Sequence, residues 1–544
     1  MKRIFTFCKP YLQIHKWTLI LYITLSVVMS TSTLISPYIV GDFMDYLLIA
    51  ENMSFAVSYF LLFVGINVAS IVIGYIAGRT YVHLQNRLGY ALNCVFIEKM
   101  QHSALGFIDN QDTAYLNQRI NNDSNALIIF CINVIQSIIV NVVIILATLI
   151  LLFSFHTTLA GILLGVASVY FLIYTLYKKT LYKANLIYQE AQSVFFGKLH
   201  EQLAYVRFIK VQSLYSMFIE RLNHSFFPLL KSAFKRQRAS YVFGSFDQLV
   251  LIVVQVILLL FGGAEIIAGR LSIGRFVIMS SYFNMMLGAL RYFFGMGETI
   301  QSNLVSFNRL KSLAEIKREE NGNQCIGRID SIELKNLSFF YGDLCVINNM
   351  SRVFKKGTLY TVRGGNGSGK STLLNIMLGL HTGEFTGQVM LNGIPIESVD
   401  MCALRSRLIG VAEQEPTLLA DSVMSNIQLH SRDTSKEKLE LLNKLSKILD
   451  LDEFIQSLPD KFETVINEHS NNLSGGEKQK IAILRTLLKD PEVIILDEPT
   501  SALDEYSRKS LGNYLNDIKA NKIIIIVTHD KECEFIDNEN IVYL

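Results

Sequence analysis

The chain has no CxxC pair and no cysteine–histidine spacing suited to zinc. Its seven cysteines (Cys8, Cys94, Cys131, Cys325, Cys345, Cys402 and Cys533) form an odd, scattered set. Such a set excludes a disulfide framework and reads as free thiols in a reducing compartment or in lipid. Charge is also scarce: 18% of residues are charged against 51% hydrophobic, a balance unusual for a soluble protein. The net charge of +3 is too small to indicate nucleic-acid binding, and no such partner is expected. No cleavable signal is expected either. Lys2, Arg3 and Lys9 precede an apolar run that is too long for a signal peptide and carries no cleavage site.

What the chain does have is apolar length, concentrated in its first 300 residues. At 544 residues it is long enough for two or three domains, and only the second part has ordinary globular composition. Six segments reach the roughly 20 apolar residues that a membrane span needs: 17–40, 55–78, 127–153, 158–177, 248–269 and 273–297. The loop after the first carries Asp42, Asp45 and Glu51 but no base, whereas the N-terminal arm, 79–125 and 178–240 hold most of the positive charge, including Lys231, Lys235, Arg236 and Arg238. The positive-inside rule then puts both termini in the cytoplasm, and it is preferred to a lipid or nucleic-acid patch as the reason for that basic cluster. The two long basic stretches keep helical periodicity while lacking the apolarity to stay in lipid. They are expected to project into the cytoplasm.

In the sixth segment Ser281, Asn284, Gly288, Arg291, Gly295 and Glu298 recur at spacings of three and four and so share one helix face. Polar groups inside a span are costly and often functional, so this face is a candidate lining for a translocation pathway. Close helix packing by the small residues, with Glu298 at the inner interface, is the competing reading. A weaker stripe in the first segment comprises Thr24, Ser26, Ser30, Thr31 and Thr33.

After a polar stretch near 315–328, β-rich runs alternate with helical patterns, as in an α/β domain. Gly364-Gly365-Asn366-Gly367-Ser368-Gly369-Lys370-Ser371 fits GxxxxGK[ST], follows a strand-like run at 359–362 and opens a helix from Thr372 to Leu380. In that setting the glycines turn backbone N–H groups toward phosphates and the helix N-terminus adds its dipole. Lys370 supplies charge to the β and γ phosphates, and Ser371 offers a hydroxyl to Mg²⁺. The apolar strand 493–496 ends in Asp497-Glu498, giving a second Mg²⁺ ligand in Asp497 and, in Glu498, a residue placed to orient or deprotonate water.

Leu473-Ser474-Gly475-Gly476-Glu477 resembles the signature motif of ATP-binding-cassette (ABC) proteins. Other elements of that family follow in order. Tyr341 resembles the aromatic that stacks on adenine, and Gln414 the Q-loop glutamine that touches Mg²⁺. Ser501-Ala502-Leu503-Asp504 resembles the D-loop, and His529 the switch histidine that contacts the γ-phosphate. The order of six spans and then a cassette is that of the family's exporters. So are Arg119-Ile120-Asn121-Asn122-Asp123, the 206–210 stretch and Leu271-Ser272-Ile273-Gly274. Glu468 resembles the exporter-type contact loop, without its usual glycine and arginine.

The resemblance implies an all-α six-helix transmembrane domain over 1–315, a linker over 316–328 and an α/β P-loop ATPase domain over 329–544. It also implies two sites for ATP and Mg²⁺, each completed across a dimer by Ser474, Gly475 and Gly476 of the other cassette. The simplest partner is a second copy. The expected activity is ATP-driven export by alternating access, with a small antimicrobial or signalling peptide as first substrate. A lipid flippase or multidrug exporter is the alternative, and a non-pumping ATP-gated channel a distant one. Only about 16 residues precede the first span, so no N-terminal peptidase domain is expected. An Asn-, Ile- and Lys-rich composition points to the cytoplasmic membrane of a low-GC bacterium.

Overall fold

The computed structural model describes residues 1–49, 54–108, 116–117, 119–429, 435–467, 473–500, 503–529 and 540–544. The chain divides into two compact units, one made of 1–98 and 112–315, the other of 99–111 and 316–544.

The first unit is helical. A short amphipathic helix α1 (Lys2–Ile14) buries Ile4, Cys8 and Leu12, one residue per turn, and leaves its lysines exposed. Six long helices follow: α2 (Lys16–Ile49), α3 (Ser54–Gln101), α4 (Ser124–Phe155), α5 (Thr157–Ala204), α6 (Tyr215–Ile257) and α7 (Ile273–Ala314). All six contain a stretch long and apolar enough to cross a membrane. In lipid only a helix satisfies every backbone group internally, so uninterrupted apolar runs fold this way. At 1.5 Å per residue, the 48 residues of α3 and of α5 make rods of about 72 Å. That is more than twice the hydrocarbon thickness, so both rods outrun the span, as their basic second halves imply.

The core of this unit joins α4 through α7 around Leu163, Tyr170, Val254, Met279, Tyr282, Phe283 and Met286. The Tyr282 hydroxyl donates to the buried carbonyl of Leu34 at 2.9 Å, tying α7 to α2. Farther along the same pair the backbones nearly touch: a Cβ on Gly274 would lie 2.0 Å from the Gly41 carbonyl oxygen. Asp45 caps α7 there, accepting from the Ser272 hydroxyl and, at 2.6 Å, from the Gly274 N–H.

Arg119–Asp123 forms a π-helical turn before α4. The Arg119 guanidinium donates to the Arg309 carbonyl at 2.8 Å and the Ser312 hydroxyl at 3.0 Å, while Asn121 accepts from Asn93 and Asn125 at 3.2 and 3.0 Å. This family-like segment is therefore a junction of α3, α4 and α7. The hydroxyls of Thr24, Ser26, Ser30, Thr31 and Thr33 all donate back to carbonyls of their own helix, which accounts for that stripe without any ligand.

The second unit holds two sheets. The antiparallel one has the order β2-β1-β4-β5, built from β1 (Ser331–Tyr341), β2 (Leu344–Lys355), β4 (Thr386–Leu391) and β5 (Ile394–Pro395). The parallel one has the order β6-β7-β8-β3-β9, with β3 (Thr358–Arg363), β6 (Ile409–Ala412), β7 (Val493–Asp497), β8 (Ile523–Thr528) and β9 (Ile541–Tyr543). Every residue of β8 is buried, as expected for a central parallel strand covered on both faces. Helices α8 (Lys370–Met377), α9 (Met401–Arg407), α10 (Val423–Ile427), α11 (Lys436–Ile448), α12 (Asp452–Ser457), α13 (Gly475–Leu488) and α14 (Glu505–Ile518) complete the unit.

The stretch expected as a linker is stitched in by its backbone. Gly322 and Gln324 donate to Val399 and Ser398 at 3.0 and 2.9 Å, and Asp400 donates back to Gln324 at 2.9 Å. A Cβ on Gly322 would fall 2.0 Å from the Ser398 carbonyl carbon, so only glycine allows this approach. On its other side Glu319 donates to His102 and Ala104 to Lys317, at 2.9 and 3.2 Å.

Candidate active site

The carboxyl ends of three neighbouring parallel strands meet at one edge of the sheet, where α/β folds place their ligands. In-register pairing sets Asp497 of β7 beside Val527 of β8, and Val362 of β3 on the other side of Val527. The phosphate loop leaves β3, Asp497 and Glu498 end β7, and His529 follows β8. One register thus gathers residues that are more than 160 positions apart in sequence.

The loop from Gly364 to Gly369 carries left-handed backbone at Gly367 (φ +78°) and Gly369 (φ +95°). A Cβ on Gly369 would come within 2.7 Å of the Val346 side chain. Gly365, Asn366 and Gly367 are exposed, as is Ser371, while Thr372 is buried against the domain core. Lys370 folds back so that its ammonium donates to the carbonyls of Gly364 and Gly365 at 2.9 and 3.0 Å. The Ser368 hydroxyl is buried and has no hydrogen-bond partner among the described residues. Exposed backbone, a poised cation and a spare hydroxyl form a cradle that fits a polyphosphate.

Glu498 is buried and sits in a left-handed conformation (φ +50°) that a glutamate adopts only under constraint. Its N–H donates to the Val527 carbonyl at 2.8 Å, and its carbonyl accepts from Gln479 at 2.8 Å. The carboxylate is shared: Gln414 Nε2 donates to Oε2 at 2.8 Å, and His529 Nδ1 lies 2.9 Å from Oε1. The structure therefore brings together Gln414, Glu498 and His529, all three singled out from sequence. Asp497 is held above the ordinary carboxylate range, first by burial and then by the charges of Glu498 and Glu413, with Lys370 opposing. Ser371, Asp497 and Gln414 together supply the hard oxygen donors that suit Mg²⁺.

Ser474 caps α13 in a capping box: its hydroxyl accepts from the Glu477 N–H at 3.3 Å, and its own N–H donates to the Glu477 carboxylate at 2.6 Å. Gly475 and Gly476 form the first turn, and no described hydrogen bond joins them to the phosphate loop of the same chain. Asp504 caps α14 through Ser507 and lies 3.6 Å from Lys480, and the Ser507 hydrogen bond holds its carboxyl below the usual range. Glu468, Ser501 and Ala502 lie outside the described residues.

Tyr341, at the end of β1, is about half exposed and packs edge-on against Phe339 with ring centres 5.0 Å apart. In α7, Asn284, Gly288 and Gly295 are exposed and Ser281 and Arg291 half-buried, while Met279, Tyr282, Phe283 and Met286 fill the opposite side. Arg291 also lines a cavity of about 450 Å³ with Tyr174, Lys178, Tyr182, Phe243 and Phe294. Glu298 belongs to the same helix.

Two residues escaped the sequence reading. Gln479 lies five positions past the signature serine and grips the Glu498 backbone, and Glu413 adds charge near Asp497. Glu413 adjoins Gln414, which is the one sequence clue to it.

This geometry defines a phosphate-loop nucleotide-binding half joined to a six-helix membrane half. The sequence profile of the ABC transporter transmembrane region matches residues 19–290, half of the chain, and the ABC transporter profile matches 347–501. The chain belongs to the ABC transporter family, and its second half is an ATP-binding cassette.

A probable ABC transporter ATP-binding/permease protein of Haemophilus influenzae (strain ATCC 51907) is 32% identical over 276 residues, 50% of this chain and 48% of that protein. An ATP-dependent lipid A-core flippase of H. influenzae (strain 86-028NP) is 25% identical over 487 residues, 88% of this chain and 80% of its own length. The alpha-hemolysin translocation ATP-binding protein HlyB of Escherichia coli O157:H7 is 31% identical over 318 residues, 56% and 44% respectively. The chain spans about half the length of several of the curated relatives it matches. A bacterial Atm1-family ABC exporter with ATP bound shares the fold at TM-score 0.81 and 18% identity, covering 97% of this chain and 93% of that one.

Proposed function

We propose that the chain is an ATP-hydrolysing exporter of a bacterial cytoplasmic membrane, working as a homodimer with both termini in the cytoplasm. The observation that carries this reading is the shared carboxylate of Glu498, buried at the mouth of the phosphate loop and held by Gln414 on one oxygen and His529 on the other. Glu498 is the general base: it orients the attacking water and takes its proton as the water oxygen bonds to the γ-phosphorus and the β–γ bridging oxygen leaves with ADP. Lys370 and the loop N–H groups balance the phosphate charge. Ser371, Gln414 and Asp497 would hold Mg²⁺, which would supply positive charge against the phosphates.

The hydrogen bonds of Ser474 stay within its own helix, which leaves the signature free to face a second cassette. That arrangement favours a dimer in which two chains complete two ATP sites. Closure of the dimer then needs only a preference of several kcal/mol to shift the membrane half almost completely between its two states.

The substrate is an amphipathic molecule. The 450 Å³ cavity combines four aromatic rings with Lys178 and Arg291, which suits an apolar body with an anionic head. That lining, with the flippase likeness over most of the chain, favours a lipid. The peptide expectation keeps support from HlyB, whose name describes alpha-hemolysin translocation.

The test is ATPase activity of the purified chain in lipid beside Glu498→Gln, with anionic lipids and amphipathic peptides added in turn. Turnover that the variant loses, and that lipid stimulates, is the expected result. No turnover from a folded sample would overturn the homodimeric pump, and stimulation by peptide alone would return the substrate to the peptide class.

A further inference from the structure

We infer that His381 is a positioning residue for the adenine platform: it fixes the ring of Tyr341 and thereby sets affinity for the base, not for the phosphates. The inference rests on the reading of Tyr341 as the residue that stacks on adenine.

Nothing in the motif pattern marks His381, which lies in the turn after the phosphate-loop helix. Yet it is only 1% exposed, an unusual burial for histidine. Its ring centre is 4.8 Å from that of Phe339 and 6.2 Å from that of Tyr341, the latter edge-on at 81°. Phe339 and Tyr341 are themselves edge-on at 79°. The three rings therefore form a closed cluster. Phe339 is buried, and Tyr341 is the member left half exposed.

One hydrogen bond fixes the histidine within that cluster. Its Nδ1 lies 2.7 Å from Oε2 of Glu384, three residues onward. A carboxylate only accepts, so Nδ1 carries the proton. Nε2 is buried and has no hydrogen-bond partner among the described residues. Among the described residues, Glu384 is the hydrogen-bond partner that orients the ring, and Phe339 and Tyr341 are its aromatic contacts.

A stacking platform works best when its ring is already oriented, because ordering a side chain on binding subtracts from affinity. Tyr341 stands at the end of β1, past Ser338, the last β1 residue that pairs with β4, and its ring is about half exposed. Phe339 and His381 supply the only aromatic contacts that hold it among the described residues. Removing His381 takes away one of the two aromatic contacts on that ring, leaving Phe339, and does not touch the phosphate cradle.

The experiment compares dissociation constants for ATP and for inorganic triphosphate, with kcat at saturating ATP, in the full chain reconstituted in lipid. His381→Ala is expected to weaken ATP about two- to ten-fold, the scale of one edge-on ring contact. Inorganic triphosphate binding and kcat should stay at the wild-type value. His381→Phe keeps a ring in place and is expected to restore ATP affinity, and His381→Leu carries the same comparison should the alanine variant fold poorly.

Equal losses for ATP and triphosphate would show general damage to the cassette and overturn the inference. So would unchanged ATP affinity in the alanine and leucine variants while Tyr341→Ala loses it. If Tyr341→Ala leaves ATP affinity unchanged, the platform reading itself falls, and the role of His381 falls with it.

Discussion

His529 Nδ1 lies 2.9 Å from Oε1 of Glu498, so the residue after β8 meets the residue after β7 across the edge of the parallel sheet. The strands on either side of β7 thereby hold its carboxylate, β8 through His529 and β6 through Gln414, two residues past its end. Removing the carboxylate while keeping its shape should uncouple chemistry from binding. Glu498→Gln is expected to lower kcat by about 10²- to 10⁴-fold, the usual contribution of a general base. ATP affinity should hold or tighten. His529→Gln should also reduce kcat, with the ATP dissociation constant moved less than tenfold. Single-turnover hydrolysis and equilibrium ATP binding on the same preparations check both statements, and a fall in affinity that matches the fall in rate would count against the assignment.

The α2–α7 crossing yields a packing test. A Cβ on Gly274 would meet the Gly41 carbonyl at 2.0 Å and the Asp45 carboxylate at 2.6 Å, backbone on one side and a helix cap on the other. Neither can move cheaply, so Gly274→Ala is expected to destabilise the membrane half by about 1–3 kcal/mol. Gly288, on the same helix, has nothing within 4 Å of its ideal Cβ, and Gly288→Ala serves as the control with unchanged stability. Thermal unfolding in detergent separates them. Equal effects would mean that the crossing is looser than this geometry.

These contrasts show what a linear pattern can carry. The phosphate loop, the Asp497-Glu498 pair and His529 were legible because each chemistry needs particular residue types on apolar strands, and parallel pairing of such strands leaves little choice of where they meet. Six helices were legible because lipid allows nothing else over so many apolar residues. Gln479, Glu413 and His381 were not, since their roles arise from what the fold sets beside them. Gly274 gave no hint of its contact with Gly41, 233 positions away. The 316–328 stretch read as a linker because its composition is polar, yet its backbone N–H and carbonyl groups pair with 102–104 and 398–400. Composition records side chains and is silent on where backbone bonds go.

Asp497 carries a cost to folding. Burial and the neighbouring charge of Glu498 hold its carboxyl above the ordinary range, so the folded protein binds that proton more tightly than the unfolded chain does. The penalty is absent below the ordinary carboxylate range and complete above the raised value. Nucleotide-free stability therefore falls as pH rises through that window. Asp497→Asn removes the charge, and its melting temperature without nucleotide is expected to exceed that of the wild type at pH 8, the gap closing as the pH is lowered. The same variant should lose Mg²⁺-dependent ATP turnover. A lower melting temperature at pH 8 would show that the carboxylate stabilises the fold instead.

Lys489 offers the opposite sign at alkaline pH. Its ammonium donates to the carbonyls of Arg405 and Ile409, both at 2.6 Å, but burial outweighs these bonds and lowers its pKa from 10.5 to about 8. Between about 8 and 10.5 the unfolded chain holds the proton that the folded cassette has released. Stability from this group therefore rises with pH across that window, while below about 8 both states are charged and the slope vanishes. Lys489→Met abolishes the titration and leaves two partly buried carbonyls without this donor. The variant is expected to be less stable than the wild type at neutral pH, because unpaired buried acceptors cost about 1–3 kcal/mol. The decisive reading is the slope: from pH 8 upward the wild type should gain stability relative to the variant in denaturant titrations. Parallel curves over that range would place the lysine in water and remove the burial from which the shift arises.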